Sequence, residues 1–316
     1  MAGLRLLNST PQRELKIRAG PTGVHLFCRK TGLNVLCDEL RVPKTLWASA
    51  PRQISVALTN RCDLTCPYCY APKGRATLDV ERLIGWLHDL DTNGCLGVGF
   101  GGGEPTLYKH LVQLCQRVVN ETGLAVTFTT HAHRIDGDLV AALKGTVHFV
   151  RVSMDGVGAT YEKMRGRPFT ALCSRLEILR TLAPLGMNFV VNANTAPDLD
   201  GAIGLASEVG ATEFLLLPEQ PVHGKGGIDV LTLRSLHKWI REYRGRVPLA
   251  ISEVGVDAAS TYPTFVNETS LRAYAHIDAS GVLKRSSYDH DGANIGPEGV
   301  MGALRQLQTR YGEECA

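Results

Sequence analysis

The 316-residue sequence has no strong charge of either sign: 34 Lys and Arg stand against 31 Asp and Glu, a formal net charge of +3. With no long basic run either, nucleic acid is not an expected partner. No window of about 18 apolar residues is present, which predicts no membrane span. The apolar stretch within Met1–Thr10 is too short for a secretory signal. The nine cysteines, an odd number at irregular spacing, do not form a disulfide framework and suit a reducing, cytoplasmic setting. What remains is an ordinary globular composition, 44% hydrophobic and 21% charged, long enough for one large domain with a small appendage.

One further shortage concerns cysteine itself. Cys62-Asp-Leu-Thr-Cys66-Pro-Tyr68-Cys69 follows the apolar run Ile54–Leu58, and three cysteines so spaced can turn from one loop onto one metal centre. Soft thiolates suit iron–sulfur or zinc, whose closed sites take four protein ligands. The nearest other cysteines are Cys37 and Cys95, so one coordination position is expected to go to something other than protein. This spacing, with an aromatic residue before the third cysteine and a strand before the first, resembles the radical S-adenosylmethionine (SAM) superfamily. The resemblance implies that Cys62, Cys66 and Cys69 hold a [4Fe-4S] cluster whose unique iron takes the amino and carboxylate groups of SAM. The rival reading is a non-catalytic zinc or iron–sulfur protein, which would have no use for the motifs described below.

Residues 1–50 read as a β-rich lead-in. Glu14–Arg18 alternates, and Val24–Cys28 and Leu33–Cys37 flank the turn Lys30-Thr-Gly32, predicting a hairpin. Cys28 and Cys37 are expected to be small buried hydrophobes, the other reading being a pair facing each other across the hairpin and binding metal. Over residues 51–255 strands alternate with helices. Strands are predicted at Gln53–Leu58, Leu96–Phe100, Ala125–Thr129, Val147–Val152, Asn188–Asn194, Glu213–Leu217 and Leu249–Ser252. Helices fall at Asp79–Leu90, Tyr108–Asn120, Asp136–Leu143, Phe169–Leu182, Leu199–Val209 and Thr232–Tyr243. The pattern predicts an α/β fold, a partial (β/α)6 TIM-type barrel with its chemistry at the carboxyl ends of the strands. The three-cysteine loop follows the first strand, where that rule places it.

Residues 256–316 break the alternation. Ala275–Lys284 reads as a hairpin turning at Ser280-Gly281, and a helix follows over Glu298–Tyr311. This tail resembles the SPASM or twitch extension of the peptide-modifying radical SAM subgroup. Arg285-Ser286-Ser287-Tyr288 stands where that subgroup has an auxiliary-cluster cysteine. The tail is therefore expected to be a degenerate cap without a second cluster.

Gly101-Gly102-Gly103-Glu104-Pro105 follows the second strand. Glycines admit a ligand close to the backbone and a carboxylate accepts from an ammonium group. The stretch resembles the family's Gly-Gly-Glu motif, which assigns Gly102, Gly103 and Glu104 to the amino group of SAM. Ser153 and Asp155 are expected to point the same way toward its ribose. Asn192 and Asn194 are expected to share a face of the fifth strand, where amides need polar partners, and Asn192 is assigned a ribose or carboxylate contact. Arg165 is expected to pair with the SAM carboxylate or to sit solvated at a helix end, and Tyr68 to lie near the adenine. His131 and His133 replace a common Thr-Asn-Gly, and are either substrate contacts or incidental. Glu219, Gln220 and His223, with Lys284 and Tyr288, are the candidate substrate-side residues. Cys95, Cys115 and Cys173 are read as packing.

The implied activity is reductive cleavage of SAM to a 5'-deoxyadenosyl radical that takes a hydrogen atom from substrate, fed by a flavodoxin or ferredoxin. The subgroup resemblance favours a ribosomal peptide as substrate. The short lead-in, with no room for a winged-helix leader-binding domain, favours a small biosynthetic intermediate instead.

Overall fold

The computed structural model describes residues 15–222, 224, 226–252 and 268–312. The lead-in forms a three-stranded antiparallel sheet of β1 (Leu15–Gly20), β2 (Gly23–Cys28) and β3 (Leu33–Cys37). Gly23 has φ +119°, and a Cβ there would come 2.3 Å from the Cys37 carbonyl, so the β1–β2 turn requires glycine. The register pairs Val24 with Cys37 and Cys28 with Leu33. The two cysteines thus stand at opposite ends of the hairpin, which rules out the cross-hairpin metal pair.

Seven strands and seven helices follow. They are β4 (Gln53–Thr59), α1 (Val80–Thr92), β5 (Gly97–Gly102), α2 (Leu111–Glu121), β6 (Ala125–Thr130), α3 (Gly137–Leu143), β7 (Phe149–Ser153), α4 (Ala159–Arg165), α5 (Phe169–Leu179), β8 (Leu185–Val191), α6 (Leu199–Glu208), β9 (Glu213–Pro218), α7 (Val230–Glu242) and β10 (Leu249–Ile251). All seven strands are parallel, ordered β10-β9-β8-β7-β6-β5-β4. Alternate strand residues divide the barrel wall. Ile54, Val56, Leu58, Val98, Phe100, Val126, Phe128, Val150, Phe189 and Phe214 are buried in the core. Ser55, Gly99, Thr127, Arg151, Ser153, Asn188 and Glu213, between them in sequence, line a cavity instead. Each helix contributes a matching stripe; in α1 it is Val80, Leu83, Ile84, Leu87 and Leu90, starting from an Asp79 cap whose carboxylate accepts from the Arg82 amide at 3.0 Å. A buried leucine is worth about 1.5–3 kcal/mol, so these stripes carry the fold.

The tail joins the same sheet. β11 (Tyr274–Ile277) pairs parallel with β4, and β12 (Val282–Lys284) and β13 (Ala293–Asn294) extend it antiparallel, while α8 (Gly299–Arg310) packs on α1. The expected hairpin and helix are present, and β11 prolongs the barrel sheet beyond its first strand.

Two local expectations change. β8 ends at Val191, so Asn192 and Asn194 lie in the turn after it and not on a strand face. The cause is local: Asn192 Oδ1 accepts from the amides of Asn194 (2.8 Å) and Thr195 (3.1 Å), which turns the chain. The short α4, between Gly158 and Gly166, was not expected as a separate helix.

The tail, barrel and lead-in meet at Glu268, which is 5% exposed. Its carboxylate accepts from Arg18 Nε at 3.3 Å and Arg52 Nε at 2.7 Å, and Arg18 also donates to the carbonyls of Ala50 (3.0 Å) and Gly94 (2.8 Å). Removing the carboxylate takes the counter-charge from two largely buried guanidiniums. Glu268→Ala is expected to cost about 3–5 kcal/mol in urea unfolding, a loss that an exposed ion pair would not produce.

His148 Nδ1 accepts from the Val126 amide at 3.0 Å. Burial, then the nearby Arg29 charge, pull its pKa down to about 4. An unfolded histidine titrates at about 6.5, so between those values the unfolded chain binds the extra proton. Stability is expected to fall as pH drops from about 6.5 to about 4. His148→Gln is expected to flatten that part of the melting-temperature profile.

Candidate functional site

The three-cysteine loop leaves the carboxyl end of β4 as irregular backbone, and its thiols are free. The amides of Gly103 and Glu104 donate to the carbonyls of Thr59 (2.7 Å) and Arg61 (2.8 Å), tying the end of β5 to the loop. A Cβ on Gly102 would come 2.5 Å from the Thr59 carbonyl, and one on Gly103 2.1 Å from that of Arg61. These two glycines are therefore required by chain-to-chain contact, whereas Gly101 opens onto free space.

Glu104 is 1% exposed. It accepts from Thr106 N (3.1 Å), Thr106 Oγ1 (2.7 Å), Thr130 Oγ1 (2.7 Å) and His131 N (3.0 Å). Three of these donors converge on Oε1 and only the His131 amide reaches Oε2, so Oε2 keeps a lone pair for a further donor such as an ammonium group. His131 accepts at Nδ1 from the His133 amide at 3.1 Å, which leaves the proton on Nε2 to donate to Asp63 Oδ1 at 2.8 Å. Burial raises the Asp63 pKa, but the His131 contact more than offsets it and the net shift is downward. His133 Nε2 meets Tyr161 Oη at 2.7 Å, and burial followed by the charge of His131 lowers its pKa to about 4. Between the two histidines Ala132 is left-handed at φ +68°, a conformation that glycine adopts more readily.

On the other side of the loop Asp155, fully buried, accepts from Val190 N (2.7 Å) and Tyr68 Oη (2.5 Å) and forms an ion pair with Arg165. Arg165 also donates to Cys66 Sγ at 3.5 Å. Burial works against its charge, yet Asp155 more than compensates and its pKa is raised. Tyr68, Asp155 and Arg165 are thus one cluster that clamps the loop at Cys66. Ser153 stands apart from it on the cavity wall.

Two chambers meet at the loop. The inner, about 540 Å³, is lined by the barrel strands, the cysteines and residues 99–104. The outer, about 970 Å³, lies between the loop, the ends of β8 and β9, and the tail. In the inner lining two buried atoms, Arg165 Nε and Asn188 Oδ1, have no partner. Buried polar atoms are rarely left so, and these suit a polar ligand. Asn188 was not singled out from the sequence; an amide in the middle of an apolar strand was the available signal.

Among the described residues the three potential ligand atoms lying within 4.8 Å of one another belong to Cys62, Asp63 and His131. At least one pair of the three thiols is therefore wider than that. One zinc held at about 2.3 Å from each sulfur would draw them to about 3.8 Å. The wider set, with one position open and unpartnered polar atoms beside it, fits a polynuclear cluster carrying a polar ligand.

In the outer chamber Glu219 accepts from Asn192 Nδ2 at 2.6 Å and from the Gly227 amide at 3.1 Å. Tyr288 packs against Tyr70 at a tilt, with ring centroids 4.5 Å apart, and Lys284 pairs with Asp278 at 3.0 Å. Gln220, on the inner lining, donates to the Pro218 carbonyl at 3.1 Å. On the same inner lining Ser55 Oγ lies 2.5 Å from Tyr274 Oη and 2.7 Å from His276 Nδ1. His223 lies outside the described residues. Cys95 and Cys115 are buried and Cys173 partly so, all three away from both chambers.

A parallel barrel with a three-thiol loop after its first strand defines a class, and residues 56–198 match the radical SAM superfamily. Over that stretch the chain is similar to a radical SAM domain, a family whose members use a [4Fe-4S] cluster and SAM. It is 35% identical over 149 residues to the PqqA peptide cyclase of Rhodopseudomonas palustris, covering 45% of this chain and 39% of that protein. Over 159 residues it is 30% identical to the Fe-coproporphyrin III synthase of Methanosarcina barkeri, covering 48% and 40%. The match thus spans about two-fifths of these relatives' length. The structure of Streptococcus suis SuiB bound to precursor peptide SuiA superimposes with a TM-score of 0.72 over 92% of this chain and 87% of that one, at 14% identity. That likeness establishes a shared fold.

Lys73 Nζ lies 3.6 Å from Cys69 Sγ and 3.2 Å from the Leu64 carbonyl. A cation bonded to a cluster sulfur favours the reduced form. Lys73→Met is expected to move the cluster potential in the negative direction in an EPR-monitored titration, with iron content unchanged.

Proposed function

We propose that this chain modifies a ribosomally made peptide by radical SAM chemistry. The observation that carries the reading is the pair of chambers joined at the cysteine loop, an inner one with unpartnered polar atoms and a larger outer one. The inner chamber suits SAM and the outer chamber admits a bulky substrate. A relative that is a peptide cyclase supports the choice of a peptide. The porphyrin-type relative keeps a small-molecule substrate as the second reading.

When bound, the cluster and SAM supply an adenosyl radical that removes a hydrogen atom from substrate. This chain's residues supply the rest. Cys62, Cys66 and Cys69 hold the cluster. Residues 101–104, Ser153, Asn188 and Arg165 face SAM, and Tyr68 and Asp155 hold the loop against it. Asn192, Glu219, Gln220 and Tyr288 border the substrate. Among the described residues the three loop cysteines are the thiols that line either chamber. A low-potential flavodoxin or ferredoxin serves as donor in this reading. No helix of the described residues is long and apolar enough to cross a membrane.

The test is anaerobic. Protein reconstituted with iron and sulfide, given dithionite and SAM, is expected to release 5'-deoxyadenosine, and Cys66→Ala is expected to release none. A short peptide encoded beside the gene is expected to raise that release several-fold and to leave with an altered mass, or with an altered retention where the change is an epimerisation. Stimulation by a porphyrin instead would favour the second reading, and absence of SAM binding would defeat both.

A further inference from the structure

The cysteine loop is pinched at its root. The Asn60 amide donates to the Ala76 carbonyl at 2.9 Å and the Leu78 amide to the Leu58 carbonyl at 3.0 Å, and Thr59 pairs antiparallel with Thr77. The next residues outward on the two segments are Arg61 and Arg75, both exposed. Among the described residues neither guanidinium has a hydrogen bond or an ion pair. Like charges at neighbouring positions of paired segments repel, and an anion brought to both relieves this.

A second pair lies two residues further along the loop. Arg134 and Arg167, with side chains 47% and 41% exposed, converge on Asp63 Oδ2 at 3.7 and 3.4 Å, while Asp63 Oδ1 is taken by His131. One carboxylate does not neutralise two guanidiniums. Two further carboxylates on the same segments, Asp136 and Glu162, accept from the amides of Leu139 (2.8 Å) and Phe169 (3.1 Å). None of the four arginines lines either chamber, so the set stands on the outer side of the loop, with Cys62 between Arg61 and Asp63.

We propose that this arginine surface docks an acidic electron-carrier protein, a flavodoxin or ferredoxin, against the outer side of the cysteine loop; the inference rests on the radical SAM reading above. Three observations favour this occupant. The surface adjoins Cys62 but opens onto neither chamber, so a protein seated on it comes close to a cluster ligand without blocking SAM or substrate. Its charge sits on exposed guanidiniums with few internal partners, which suits the weak, charge-steered encounters of electron carriers. Four arginines without a long basic run are also too few for a nucleic-acid track. One electron passes: the carrier is oxidised by one and the centre held by Cys62, Cys66 and Cys69 is reduced by one, with no bond made or broken.

The test reads binding and electron transfer separately. An acidic flavodoxin and an acidic ferredoxin, both oxidised, are titrated by calorimetry into the full chain before and after reconstitution with iron and sulfide. At least one is expected to bind both forms, about tenfold more weakly at about 300 mM salt than at about 50 mM. Arg61→Glu with Arg75→Glu is expected to weaken binding at least tenfold and Arg134→Gln with Arg167→Gln about threefold, while Lys238→Glu with Arg241→Glu on α7 leaves it unchanged. In stopped flow the reduced carrier is expected to bleach the cluster of the Arg61, Arg75 variant at least tenfold more slowly, with dithionite reduction, iron content and SAM binding as in the parent. Should that variant lose iron, the glutamine pair and the salt dependence decide alone. The proposal is overturned if neither carrier binds, if binding ignores both arginine pairs, or if the neighbouring peptide and no carrier binds there. Dithionite-driven release of 5'-deoxyadenosine tests the radical SAM reading apart from this surface, because carrier binding is also read on the unreconstituted chain.

Discussion

A loop of irregular backbone that must present three thiols in a fixed arrangement cannot hold itself. Two buried carboxylates, at the ends of two strands of the same sheet, do it here. Glu104, after β5, gathers the end of β6 and the start of the next turn, and its own amide grips Arg61 just before Cys62. Asp155, after β7, gathers Tyr68 and Arg165, and Arg165 reaches Cys66. Each carboxylate is held by donors from more than one element, which is the condition under which a buried charge is retained. Both therefore position the loop, while Asn188 Oδ1 and Arg165 Nε beside them still lack partners.

How far the sequence could reveal this depended on distance along the chain. The cysteines are legible because their spacing is local and their chemistry is in the residue type. The strands and helices are legible because period-2 and period-3.6 patterns are local too, and most predicted ends fall within a few residues of those observed. Asn192 was misplaced onto a strand because propensity does not show when a side-chain amide will capture the next amides and end the ladder. The short α4 was missed because seven residues between two glycines carry too little stripe to register. Asp63 with His131, Asp155 with Arg165, and β11 with β4 are separated by 68, 10 and about 220 residues, and the partner of a charged residue is not written in its neighbourhood.

The buried ions divide by purpose. Glu268 with Arg18 and Arg52 closes the amino end of the barrel, where no ligand is expected, and joins three segments far apart in sequence. Hydrophobic packing could replace such a cluster without loss of stability. Its value is in register: the guanidiniums fix which carbonyls of residues 50, 94 and 272 come together, and hence how β11 lies along β4.

That placement governs the mouth of the site. Because β11 continues the sheet beyond β4, the segment after β12 comes back over the cysteine loop, where the Tyr288 ring packs at a tilt against Tyr70, one residue beyond Cys69. A tail with thiols at this point would bind metal; this one closes the same space with two rings. Both rings remain partly exposed, so their contact stands at the rim of the outer chamber. In the function proposed above, the opening through which substrate enters and the cover that limits water at the loop are the same contact.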